Sequence, residues 1–129
     1  MNTQIGAVTL GVRDLTRAKK FYSEGLGCPI EQDHASFVSF NLGNGSSTLA
    51  LYMWDALAAD AGVPADGSGF RGVTLNYFVP SPERVDEVLA EAERAGGKIV
   101  RPAQGAQWGG YFGYFSDPDG YLWKVVSSA

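Results

Sequence analysis

Two stretches of strict alternation, IGAVTLGV at 5–12 and RGVTLNYFV at 71–79, set the strongest limit on how this chain folds. In the first, Val8, Leu10 and Val12 alternate with Ala7, Thr9 and Gly11; in the second, Val73, Leu75, Tyr77 and Val79 alternate with Thr74, Asn76 and Phe78. A period of two is the signature of a strand whose faces meet different surroundings. A helix signal follows each strand. Asp14 stands as an N-cap ahead of LTRAKKFYSEGLG, where Leu15, Ala18, Phe21 and Tyr22 recur at helical spacing and Gly25 and Gly27 form the stop. Ser81 and Pro82 open PERVDEVLAEAERAGG, with Val85, Val88, Leu89 and Ala92 as its buried stripe and Gly96-Gly97 as its stop. Three short strands are expected after each helix: about 29–33, 36–42 and 47–53 in the first half, and near 98–101, 109–115 and 121–126 in the second. Gly43-Asn44-Gly45 supplies the turn between two of them.

The chain therefore reads as a β-α-β-β-β unit written twice, over 1–54 and 70–129. The intervening 55–69, rich in Gly, Pro and Asp and with room for a short helix, is the linker candidate. Neither half can bury both faces of its sheet alone, so a single α+β domain over 1–129 is expected, of a size that buries roughly two-thirds of its extended surface. The single cysteine, Cys28, has no partner for an internal disulfide. With no charged-then-apolar leader and no apolar run of spanning length in the sequence, a cytoplasmic location is expected. Ten Lys and Arg against fourteen Asp and Glu give a net charge of -4, which argues against a nucleic-acid-binding face. Neither nucleic acid nor membrane is an expected partner. The acidity either serves solubility or raises the local concentration of cationic small molecules. Seven Phe, six Tyr and three Trp suit sheets and an aromatic-lined pocket.

Two motifs add a resemblance to this pattern. GVRDLTRAKKFYSEGLG after the first strand and GGYFGYFSDPDGYLWKV at the end, in a doubled β-α-β-β-β frame, resemble the vicinal oxygen chelate superfamily, which includes glyoxalases, bleomycin-resistance proteins and extradiol dioxygenases. The resemblance covers essentially the whole chain. It implies two paired β-α-β-β-β modules whose mixed sheet curls around a cavity, commonly in a homodimer with both chains contributing. It also implies metal-ligand positions at Ala7, at or near Leu49, near Thr74 and at Lys124. None of these residues is a usual ligand, and the lysine would repel a divalent cation. The only histidine, His34, lies at an expected strand-to-strand turn, where a surface role suits it better than ligation. A member without a metal or other cofactor is the expectation.

Alternation then selects the residues sharing Lys124's face: Leu122 beside it, Ala7, Thr9 and Gly11 on the first strand, Leu49, Leu51 and Met53 on the fourth, and Thr74, Asn76 and Phe78 on the fifth. Trp54, at the end of a strand, and Trp108, before Gly109-Gly110, are expected at the cavity mouth, either stacking on a planar ligand or capping a dimer contact. Trp123 alternates away towards a helix. The ligand-binding set is thus Thr9, Leu49, Leu51, Met53, Trp54, Thr74, Asn76, Phe78, Trp108 and Lys124. Lys124 either reaches solvent, pairs with Glu31 or Asp33, or holds a ligand oxygen. Asp117-Pro118-Asp119-Gly120 is a tight turn that aims the strand carrying it. Small-molecule binding or sequestration is the leading functional expectation. The alternative is a glyoxalase-like lyase, isomerase or dioxygenase, with either a metal site in a different register or a lysine-based site.

Overall fold

The computed structural model describes residues 3–128. They form two compact units that divide after Gly67. In the first, β1 (Ala7–Val12) leads into α1 (Leu15–Lys20), which continues as a π-helical turn over Phe21–Gly25; β2 (Ile30–Asp33), β3 (Phe37–Phe40), β4 (Thr48–Met53) and α2 (Trp54–Ala61) follow. In the second, β5 (Thr74–Phe78), α3 (Pro82–Arg94), β6 (Lys98–Gly105), β7 (Tyr111–Ser116) and β8 (Leu122–Ser127) repeat the order. The sheets are ordered β1-β4-β3-β2 and β5-β8-β7-β6, with β1/β4 and β5/β8 as their parallel pairs.

Both expected N-caps are made. The Asp14 carboxylate accepts from the Arg17 backbone N–H at 3.0 Å, and the Ser81 hydroxyl accepts from that of Arg84 at 3.2 Å. Each helix packs on one face of its own sheet. In the first unit Val38 pairs with Leu51 and Phe40 with Leu49, and these side chains are buried together with Leu10, Val12, Leu15, Ala18, Phe21 and Tyr22. The Tyr22 and Phe40 rings lie 5.9 Å apart, joining the π-helical turn to β3. In the second unit Leu89 of α3 fills the space beside Gly113, where a Cβ would come within 2.6 Å of it. Phe115 and Trp123 stack at 6.0 Å on that same side, as expected for Trp123.

The first half of the linker candidate is α2, the short helix that its sequence has room for. A Cβ at Gly11 would lie 3.4 Å from both Leu57 and Trp54, so α2 rests on the β1 face opposite α1. β6 also runs further than expected, to Gly105, past Pro102 and with two register irregularities that re-aim its side chains.

The turn before β8 is held from inside. Asp117, 3% exposed, accepts from the backbone N–H groups of Asp119 at 2.9 Å and Tyr121 at 2.8 Å, and Gly120 takes a φ of 86°. Asp117→Ala leaves both donors without this acceptor in a buried place. A loss of about 2–3 kcal/mol is expected in urea unfolding; an unchanged midpoint would show that the carboxylate does not hold the turn.

Candidate functional site

With α3 covering one side of the second sheet, the other side is set by β-register alone. Lys124 pairs with Asn76 of β5 and Tyr114 of β7; Leu122 pairs with Thr74, and Val126 with Phe78 and Phe112. These residues therefore share one face. Arg101, paired with Tyr114, and Gln104, paired with Phe112, bring β6 into it. Thr74, Asn76, Phe78 and Lys124 thus stand on the common face expected for them, and Trp108 from the β6–β7 loop reaches it.

Lys124 lies among aromatic rings. Its Nζ is 4.8 Å from the centre of Phe112 and 6.0 Å from those of Trp108 and Tyr114, contacts worth about 0.5–2 kcal/mol each. Asp33 is held by Lys19 at 2.6 Å within the first unit, and no described carboxylate of the second unit forms an ion pair with Lys124. On the opposite flank the Arg101 guanidinium lies 5.0 Å from the Phe112 ring and, with the Gln104 amide turned to meet it, donates to that side-chain oxygen. The Thr74 hydroxyl donates to Asn76 Oδ1 at 3.2 Å, which leaves the Asn76 amide N–H groups pointed at no acceptor among the described residues. Trp108 is 58% exposed and folds back against Gly110, where any side chain would collide with its ring.

The first unit's residues are placed differently from expectation. β1 pairs with β4 so that Thr9 lies beside Ala50, and Leu10 beside Leu51. The face of Ala7, Thr9 and Gly11 is continued on β4 by Thr48, Ala50 and Tyr52. Leu49 and Leu51, at 3% and 0% exposure, belong to the helix-packed core, and Met53 shares their parity at the end of the strand. Trp54 does not end a strand: it begins α2, its indole N–H donates to the Ala65 carbonyl at 2.7 Å, and Arg13 stacks on its ring at 4.1 Å. It secures the following loop. Phe112, Tyr114, Arg101, Gln104 and Gly110 were absent from the expected set. Period two applied to YFGYF, with β7 antiparallel to β8, carries the signal for the first two.

The implied metal-ligand positions do not fit a divalent cation. Ala7, Thr74 and Lys124 offer neither carboxylate nor imidazole, and the corrected β4 face substitutes Thr48, Ala50 and Tyr52 for Leu49 without adding one. Among the described residues, no group of three or more His, Cys, Asp or Glu side chains is placed to hold a metal ion. His34 is exposed on the β2–β3 turn, its backbone N–H bonded to the Phe37 carbonyl.

The family model for the glyoxalase/bleomycin resistance protein/dioxygenase superfamily matches residues 4–125. The chain belongs to this superfamily. Among solved structures, a glyoxalase-related enzyme from Fulvimarina pelagi is 29% identical with a TM-score of 0.85, covering 96% of this chain and 87% of its own. A glyoxalase/bleomycin resistance protein/dioxygenase family enzyme from Burkholderia phytofirmans shares the fold at 19% identity and a TM-score of 0.83, covering 98% of this chain and 100% of its own. A lactoylglutathione lyase from Agrobacterium tumefaciens does so at 21% and 0.73, with 98% and 95% covered. No curated protein matches the chain. In this superfamily member, no described helix is long and apolar enough to cross a membrane.

Cys28 is half-buried, and burial pushes its thiol above the ordinary value of 9.0. A raised pKa lowers the thiolate fraction at any given pH, so the residue is a poor nucleophile. Alkylation by iodoacetamide near neutral pH is expected to be several-fold slower than that of free cysteine and to accelerate once urea unfolds the chain. Equal rates before and after unfolding would contradict the burial effect.

Proposed function

We propose that this superfamily member is a metal-independent small-molecule-binding protein, holding a ligand with a flat or apolar body on the open face of β5–β8. The observation that carries this reading is Lys124: a cation at an implied ligand position, lying over Phe112 and beside Trp108 and Tyr114 with no acid paired to it. Aromatic walls with few oriented polar groups are the usual make-up of a site for small organic molecules. Sequestration of an antibiotic or metabolite suits such a face. The protein is proposed to work in the cytoplasm as a homodimer. The dimer is supported by exposed apolar side chains around the edge strand β5, with Phe70 and Val73 of the segment leading into it 73% and 62% exposed and Phe78 at its end 76% exposed, a surface that a second chain would cover.

A catalytic reading is favoured by one observation, the pairing of Lys124 with Asn76, whose side chain meets that of Thr74. An amine beside amide and hydroxyl groups suits proton movement at a ligand carbonyl, as in a metal-free isomerase or lyase. A Lys124→Met variant that keeps full turnover of a substrate once found would remove the lysine from that chemistry.

Binding is expected to survive chelation. Protein stripped with EDTA and re-exposed to excess Ni, Zn, Mn or Fe should retain far less than one ion per chain after dialysis. Aromatic fragments should shift the indole N–H signal of Trp108 equally with and without chelator. Stoichiometric metal, or fragment binding that requires it, would overturn the metal-independent reading. Light scattering on the eluting protein is expected to give twice the chain mass; a monomer at all concentrations would remove the dimer.

A further inference from the structure

We propose that the ligand of this face is an organic anion, an aryl carboxylate, whose flat body lies on Phe112, Tyr114 and Trp108 while its negative group is taken by Lys124, Arg101 and Asn76. The inference rests on the binding reading above and adds to it the sign of the ligand's charge.

The first support is the segregation of charge. From residue 68 onwards the acids are Glu83, Asp86, Glu87, Glu91 and Glu93 of α3, with Asp117 and Asp119 of the turn before β8. None lies in a strand of the second sheet, and α3 covers the sheet's other side. The open face carries Lys98, paired with Ser116, as well as Arg101 and Lys124. A chain of net charge -4 has thus placed on this face cations and no acid.

The second support is that these cations are not neutralised within the chain. Arg84 shows the usual outcome, with Glu87 at 3.2 Å and Glu91 at 3.9 Å. Lys98 and Lys124 have no such partner among the described residues, and Arg101 is met by the neutral amide of Gln104. Lys124 Nζ and the Arg101 guanidinium both lie within 5.0 Å of one buried ring, that of Phe112. Two like charges flanking a ring repel each other, and more strongly where water is displaced. An anion reaching both removes that repulsion and forms charge-assisted hydrogen bonds.

The third support is donor polarity. Asn76 Oδ1 already accepts from Thr74, and the Asn76 amide presents N–H groups beside Lys124. The ammonium and guanidinium groups are donors only. A ligand oxygen that accepts several hydrogen bonds suits this set; a cationic ligand meets like charge from Lys124 and Arg101, with neutral hydroxyls and no carboxylate of the second sheet to offset it.

Matched probes with one aromatic body decide the question: naphthoate, naphthylmethanol and naphthylmethylammonium, titrated calorimetrically against the full chain and followed by quenching of Trp108 emission, with Trp108→Phe as the blank. Naphthoate is expected to bind at least about tenfold more tightly than the alcohol, with the ammonium weakest. The advantage should shrink as salt is raised. Lys124→Met and Arg101→Met should each abolish most of it, bringing the acid down towards the affinity of the alcohol for the same variant, and Lys124→Arg should retain it. Arg101 is exposed, so its variant carries the test if Lys124→Met lowers the thermal midpoint. Equal binding of acid and alcohol, both dependent on Trp108, overturns the anion inference and leaves the binding reading standing. Binding of none of the three overturns the binding reading and this inference with it.

Discussion

A four-stranded sheet packed against one helix buries one face and leaves the other to find a different use. That constraint acts in each unit of this protein, because α1 with its π-helical extension covers one side of β1–β4, and α3 covers one side of β5–β8. Strand pleating turns it into a sorting rule, sending alternate residues to the core and to the open face. In the second sheet Leu75, Trp123, Phe115 and Val125 go one way; Asn76, Tyr114 and Lys124 go the other. The Asp117 turn aims β8, and a displacement of one residue there would send Lys124 into the core.

This dependence on parity explains what was legible in the sequence. Element order, both N-caps and the Asp117 turn rest on local chemistry within a few residues, and all were readable. The shared face of Thr74, Asn76, Phe78 and Lys124 was readable too, since β5 and β8 begin near strong turn signals. The β4 face was not. Its parity is set by the parallel pairing of Thr9 with Ala50, a contact between distant parts of the chain, and counting across the Gly43-Asn44-Gly45 turn does not determine it. Leu49 and Leu51 were therefore assigned to the open face, although their apolar character suits the core they occupy. Trp54 failed for a related reason: alternation in LALYMW continues to the residue where α2 begins, and nothing local marks the change. Pro102 and the irregular register of β6 hid Arg101 and Gln104, since alternation is lost where a strand bulges.

The distribution of charge bears more on function than the total. An acidic chain suggests cationic ligands, yet the acids of the second unit lie on its helix and its turn, while its open face carries lysine and arginine over aromatic rings. In the superfamily to which the chain belongs, that face has an implied ligand position at Lys124. A positive side chain at such a position favours an anion where a carboxylate would favour a cation. Lys124 is then the point at which sequence, register and chemistry meet.

Native mass spectrometry of protein isolated gently from its own cells tests this inversion most directly. The account predicts a non-covalently held organic acid, detected as an anion after release and missing from protein carrying Lys124→Met. A bound species bearing a basic group, or a mass increment matching a divalent metal ion on each chain, would contradict it.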